Sequence, residues 1–253
     1  GNAAGALAAY AARAGLEAHV FMPEDAPAAN REECVALGAN LTLVQGHIGD
    51  AGKLSLKRSQ ELDLFDLSTL KEPYRVEGKK TMGLEIAMDL GWRLPSVIIY
   101  PTGGGTGILG MYKAFQELQE LGWVTDSQPR FVVVQAEGCH PIVEAFNKGW
   151  DASKAWNDPQ TIAHGLRVPH PFADYLILEI LRNTGGTALT VTDQEMIQAT
   201  GEMAAAEGIF PSPEGAATLV ALKRQLTSGE VSPEESVVLL DTGSGLKYLD
   251  MAQ

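Results

Sequence analysis

Between a short apolar segment, Ser96-Val97-Ile98-Ile99-Tyr100, and a helix-patterned stretch, Ile108 to Leu121, the chain carries Gly103-Gly104-Gly105-Thr106-Gly107. So dense a glycine turn between a buried strand and a helix limits the fold. It reads as one strand–turn–helix unit with backbone N–H groups exposed beside the positive end of the helix dipole. That arrangement is a phosphate cradle. A phosphorylated ligand or cofactor is therefore expected.

The rest of the chain repeats the same unit. Ala3 to Ala14 has a helical pattern stopped by Gly15, and Glu17 to Met22 reads as a strand ended by Pro23. A helix follows from Asn30 to Leu37, a strand over Asn40 to Val44, a helix over Asp50 to Glu61 and a strand over Leu64 to Leu67. Thr81 to Leu90 shows helical spacing at Met82, Ile86 and Leu90. Past the glycine turn come a continuous apolar strand, Phe131 to Gln135, and a short helix, Ile142 to Asn147. Helices at Asp174–Asn183 and Asp193–Glu207 flank a strand at Ala188–Val191; a helix at Gly215–Leu226 and a strand at Ser236–Leu240 complete the pattern. Trp150 to Pro171 is polar, proline-bearing and irregular. Alternating strands and helices with short connections predict an α/β fold built on parallel sheets. No Gly/Ser linker, repeat or low-complexity tract divides the chain, so any domain division is made by chain crossings.

Composition excludes some classes of function. With 32 acidic against 19 basic residues, the formal net charge is −13. Such a surface suits neither nucleic acid nor an anionic membrane, and no apolar run approaches a membrane span. Cys34 and Cys139 lack metal-ligand spacing and read as buried thiols of a reducing compartment, the cytoplasm. No metal site is predicted. The opening Gly1-Asn2-Ala3-Ala4-Gly5 has no methionine and no lead-in, which fits either a tag scar or a piece of a longer chain.

Four stretches could carry chemistry. The glycine run is not a nucleotide P-loop, because no Gly-Lys-Ser/Thr follows it. It fits a dinucleotide loop in part: Gly105, Gly107 and Gly110 have GxGxxG spacing, but the nearest acid after the next strand, Glu137, lies 30 residues beyond Gly107. A monophosphate cradle and a plain tight turn also fit. Asp241-Thr242-Gly243-Ser244-Gly245 follows the last strand and places two hydroxyls at a strand's carboxyl end, where ligand crevices form. Asn2 begins a helix, as a cap or as a donor to a ligand oxygen. Lys71 to Thr81 holds four cations in eleven residues, a solvated face or an anion site.

Taken together these stretches resemble threonine synthases, in particular the plant-like branch also found in bacteria. The matching text is Gly1 to Tyr10, Ser68 to Arg75 with Glu77 to Thr81, Tyr100 to Gly107, Ser212 to Ala217 and Gly243 to Tyr248, in the family's order and across essentially the whole chain. The resemblance implies the fold type II pyridoxal-phosphate architecture, tryptophan synthase β-like. It has two α/β domains, a smaller one over residues 1–65 and a larger one over 66–253 that carries the cofactor's phosphate loop. The implied cofactor is pyridoxal 5'-phosphate. The implied reaction is conversion of O-phosphohomoserine and water to threonine and phosphate, by a carbon–oxygen lyase of amino-acid biosynthesis. Its partner is a small phosphorylated amino acid, and a homodimer is consistent with it.

By motif match, Asn2 would hydrogen-bond the cofactor's 3' oxygen, and the backbone of Gly103, Gly104, Gly105, Thr106 and Gly107 would hold its phosphate. Thr242, or alternatively Ser244, would face the ring nitrogen. Arg75 would take the substrate's phosphate with its planar fork. The departure from the family is the Schiff-base lysine, which lies upstream of the Ser-Gly-Asn turn. None of the ten lysines here has that context, so no catalytic residue is assigned and the chain by itself is expected to be inactive and less stable than a whole enzyme. Ala3 stands where other branches carry a hydroxyl residue that could touch substrate. Competing readings are a threonine dehydratase-like lyase, a cysteate synthase-like enzyme, a lysine-less ligand-binding relative, and, from GxGxxG alone, a nicotinamide-dependent oxidoreductase.

Overall fold

A computed structural model describes residues 2–251, with the side chains of residues 2–249. Nine α-helices and six strands alternate among the described residues. The order is α1 (Asn2–Ala14), β1 (His19–Pro23), α2 (Ala28–Ala36), β2 (Asn40–Val44), α3 (Ile48–Leu62), α4 (Tyr74–Asp89), β3 (Val97–Pro101), α5 (Thr106–Glu120), β4 (Arg130–Ala136), α6 (Pro141–Asn147), α7 (Asp174–Thr184), β5 (Thr187–Val191), α8 (Asp193–Glu207), α9 (Pro213–Ser228) and β6 (Val237–Leu239). A 3-10 segment, Gly245–Met251, follows.

Two parallel sheets form. In the first, β1 pairs with β2 in the register His19 with Asn40. In the second the strand order is β5-β4-β3-β6, all parallel, with Ile99 opposite Val132 and Leu239. The apolar runs of β3 and β4 are explained by burial on both faces. Ile98, Tyr100, Phe131 and Val133 point into one core with Ile108 and Phe115 of α5, Ile142 of α6 and Ile177 of α7. Val97, Ile99, Val132 and Val134 point into the other with Met196 of α8 and Ala217 and Ala221 of α9. A small third core, Val20, Met22, Ala26 and Cys34, holds β1 against α2, with Ala4 and Leu7 of α1 packed on it. Cys34 and Cys139 are free and buried.

Two expectations need correction. Leu64 to Leu67 is not a strand. Asp63 turns left-handed at the end of α3, the Leu64 N–H bonds back to Ser59 O, and the Asp66 carboxylate accepts from the Ser68 N–H at 2.8 Å. These local bonds bend the chain at both ends of the segment, and Phe65 is 68% exposed, so the stretch lies away from both sheets. Also, α4 starts at Tyr74 rather than Thr81. The Glu72 carboxylate accepts from the Tyr74 and Arg75 N–H groups and so caps the first turn. The cationic stretch is therefore mostly helix, and its charges take fixed positions along one. Trp150 to Pro171 is irregular, as expected.

Candidate active site

β3 is followed by Thr102, whose N–H donates to Val134 O and whose hydroxyl donates to Tyr100 O, so the glycine run leaves the sheet from a fixed point. Gly105 is left-handed (φ 77°) and starts α5, where a Cβ would overlap Ile177. Any other residue there would be strained and would also collide. Among the described residues, none of the five backbone N–H groups from Gly103 to Gly107 finds an acceptor within the protein. Gly103, Gly105, Thr106 and Gly107 are buried, and buried N–H groups are rarely left unpaired. Five such donors at the start of a fifteen-residue helix form an anion cradle.

The other expected residues converge on this end of the sheet or stand close to it. The Asn2 amide donates to Thr242 O at 3.3 Å, which ties the start of α1 to the turn after β6. A Cβ on Gly243 would lie 2.9 Å from Asn2 Nδ2 and 3.1 Å from Ser212 Oγ, so that turn is in close contact with both α1 and α9. The Ser244 hydroxyl accepts from the Leu246 N–H at 3.2 Å, whereas the Thr242 hydroxyl has no partner among the described residues. Both side chains are exposed.

Arg75 sits in the first turn of α4. Its guanidinium donates to Thr69 Oγ1 at 3.0 Å and Leu67 O at 3.3 Å, both neutral acceptors. The Thr69 methyl group lies 3.3 Å from where a Cβ of Gly104 would stand, so Thr69 links the arginine to the glycine loop. Burial pushes the Arg75 pKa down from its ordinary value, opposed by Glu72. Lys79, one turn on, is pushed down by burial and then by Arg75. Among the described residues neither cation has an acid at ion-pair distance, whereas Lys80 is paired with Glu117 and Glu77 at 2.7 and 2.6 Å, which hold its ammonium above its usual pKa.

These features gather at the carboxyl ends of parallel strands: donors for one phosphate, with Arg75 linked to them through Thr69 and Lys79 one turn on. The model of the pyridoxal-phosphate dependent enzyme family matches residues 1–243. The chain belongs to that family. The cradle fits the family's cofactor, since five free donors suit a phosphate monoester. No lysine requirement or dinucleotide acid enters that fit.

Curated relatives agree with the family. The chain is 34% identical over 253 residues to the threonine synthase of Methanocaldococcus jannaschii, covering 100% of this chain and 62% of that protein. It is 36% identical over 248 residues to the threonine synthase of Methanosarcina acetivorans, covering 98% and 61%. The chain thus spans about three fifths of the length of these relatives. Among solved structures, maize serine racemase matches with a TM-score of 0.77 at 20% identity, covering 99% of this chain and 74% of that one. The processed form of threonine deaminase isoform 2 from Solanum lycopersicum matches at 0.78 and 18%, covering 96% and 67%. At such identities these two show the fold, that of fold type II enzymes.

Several participants escaped the reading of the sequence. Thr69 lay within a quoted motif but carried no assigned role. Gly165 lay in the unassigned irregular stretch, yet its carbonyl packs against Gly103 where a Cβ on the latter would overlap it. Glu214 stood just ahead of the expected helix, within the Ser212 to Ala217 stretch and with no role, and is 4% exposed in the first turn of α9. Tyr100 looked like a strand residue. Its buried hydroxyl occupies the place a Cβ on Gly107 would take, and burial alone raises its pKa to about 12. No local pattern marks any of these contacts.

Proposed function

We propose that this chain is part of a threonine synthase, acting on O-phosphohomoserine and water to give threonine and phosphate. The observation that carries the reading is the row of unpaired amides from Gly103 to Gly107 beside an arginine that has no acidic partner. Pyridoxal phosphate, when bound, supplies a ring that delocalises carbanion charge. The protein's part is to hold and orient. The amides of Gly103 to Gly107 bind the cofactor's phosphate, Asn2 donates to its 3' oxygen, and the Thr242 hydroxyl faces the ring nitrogen. Ser244 is the alternative, since its hydroxyl accepts from the Leu246 N–H and keeps its own O–H free to donate. Arg75, held by Thr69 and Leu67 O, receives the phosphate of the substrate. Its half-buried charge is opposed only by nearby Glu72 and has no acid at ion-pair distance among the described residues, so a doubly charged ligand gains more there than a neutral one.

No lysine of this chain is assigned as the Schiff-base nucleophile, and the chain alone is taken to be inactive. Lys53, Lys57, Lys80, Lys113, Lys148, Lys223 and Lys247 are ion-paired. Lys71 and Lys154 lie over the rings of Phe172 and Trp150. Lys79, the one lysine among the described residues whose pKa is pushed down, stands by Arg75 and is read as an anion ligand. The remaining assignments are a domain boundary near residue 65, cytoplasmic location and a homodimer.

The test begins with borohydride reduction of the chain with pyridoxal phosphate, followed by peptide mapping. Absence of a stoichiometric adduct is expected; one adduct on Lys79 would overturn the lysine assignment. Phosphate release by the full-length protein is then compared between O-phosphohomoserine and O-phosphoserine, with ammonia release from threonine alongside. Preference for O-phosphohomoserine supports the reading, and preference for threonine moves the protein to the dehydratase-like class.

A further inference from the structure

One buried carboxylate close behind the glycine loop is incompletely satisfied. Glu214 lies in the first turn of α9, after the N-cap Ser212, whose hydroxyl accepts from the Gly215 N–H. Its Oε1 accepts from the Gly165 N–H and from the Tyr248 hydroxyl, both at 2.7 Å. Its Oε2 is buried with no partner among the described residues. Leaving such an atom unpaired costs free energy comparable to a lost hydrogen bond. Replacing Glu214 by an apolar residue would remove that cost along with the two bonds, so the two bonds are where its value lies.

Those bonds join three stretches that are far apart in sequence. Gly165 belongs to the irregular segment between α6 and α7, Tyr248 to the 3-10 segment, and Glu214 to α9. A Cβ on Gly165 would lie 2.9 Å from Glu214 Oε1, so only glycine lets this peptide sit so near the carboxylate. On its other side the Gly165 carbonyl presses against Gly103, the first residue of the cradle. The Gly165 peptide is thus held between Glu214 and the glycine loop. Burial and the Glu214 charge keep Tyr248 in its protonated, donating form. Asp241, at the start of the turn that carries Thr242, is packed against Gly215, so the next residue of α9 supports the opposite wall.

We propose that Glu214 is a positioning residue for the phosphate cradle: by accepting from Gly165 and Tyr248 it fixes the Gly165 peptide against Gly103 and so sets the geometry of the loop amides. The inference rests on the reading of Gly103 to Gly107 as a phosphate site. Its test uses the full chain with pyridoxal phosphate and, separately, inorganic phosphate, comparing wild type, Glu214→Gln and Glu214→Met. Glutamine keeps the Oε1 acceptor, and methionine keeps the volume without it. The readouts are affinity and the phosphorus-31 resonance of the bound phosphate group.

Glu214→Gln should bind within about twofold of wild type with an unmoved resonance. Glu214→Met should bind about tenfold more weakly, with the resonance shifted. If Glu214→Met folds and binds as wild type does, Glu214 has no such role. If wild type itself binds neither phosphate compound, the cradle reading fails before the positioning question is reached. Should Glu214→Met not fold, the wild-type Gly165 amide decides the matter by nitrogen-15 NMR. It should exchange slowly with solvent and shift as inorganic phosphate is added, and a fast-exchanging amide indifferent to phosphate would overturn the proposal.

Discussion

The two sheets of this molecule are built from the same strand–helix unit and yet differ in what holds them. Every residue of β3 is buried, and so is all of β4 except Arg130 at its start, whereas β2 has three exposed and two half-buried residues and contributes none that is fully buried. Helices cover both faces of the four-stranded sheet, while the two-stranded one has a single small core of four buried residues. Parallel pairing by itself therefore does not decide burial; the number of elements packed against each face does. The site follows the same division. The phosphate cradle stands on the well-packed sheet, and α1, packed on the smaller core, contributes Asn2, which bonds to Thr242 O after β6.

The sharpest way to break this contrast is to cut matched side chains from each unit. Ile99→Ala, in the fully covered sheet, should cost about 4 kcal/mol, while Leu41→Ala in β2, half-buried, should cost about 1 kcal/mol. Urea unfolding of both variants checks it, and equal losses would mean that the two units are equally packed.

A second, smaller effect should appear at high pH. Burial raises Tyr100 to about 12 and Cys139 to about 11, and both groups belong to the larger unit. Each is neutral when protonated, and the folded state keeps its proton longer than the unfolded chain, whose ordinary values are 10.0 and 9.0. Their contribution is complete below about pH 9 and is lost as pH rises towards 12, on the order of 3 kcal/mol by pH 11. Unfolding free energies at pH 8 and pH 11 should differ accordingly, and Cys139→Ala should reduce the difference; a flat profile would sink the account.

The smallest effect concerns a bond between the units. Arg167 pairs with Asp25 at 2.7 Å, but the Asp25 side chain is 54% exposed. Asp25→Asn should therefore change stability by less than about 1 kcal/mol and less still in high salt. A larger loss would show that the contact between the units is worth more than their exposure suggests.

Much of the fold was legible because strand and helix periods differ. The limits of β2 and α8 were read as they stand, and the apolar runs of β3 and β4 signalled burial on both faces. Leu64 to Leu67 had strand-like residues but no neighbour to pair with, between a left-handed turn at Asp63 and an Asp66 turn onto Ser68. The first two turns of α4 were hidden because their charges read as a solvated run, and the capping Glu72 announced itself only through its hydrogen bonds.

The sequence by itself determined that this chain is a parallel α/β protein with a glycine loop at a strand's carboxyl end, and its motif order pointed to one enzyme family. Those properties follow from local periodicity and from residues that must be glycine where the backbone turns. Only the tertiary structure decided that the five loop amides lack internal acceptors, that Thr69 ties Arg75 to the loop, and that Glu214 reaches Gly165 from 49 residues away. Contacts between segments so distant in the chain leave no periodic trace, because each partner obeys its own element's pattern and meets the other only when the sheets are packed.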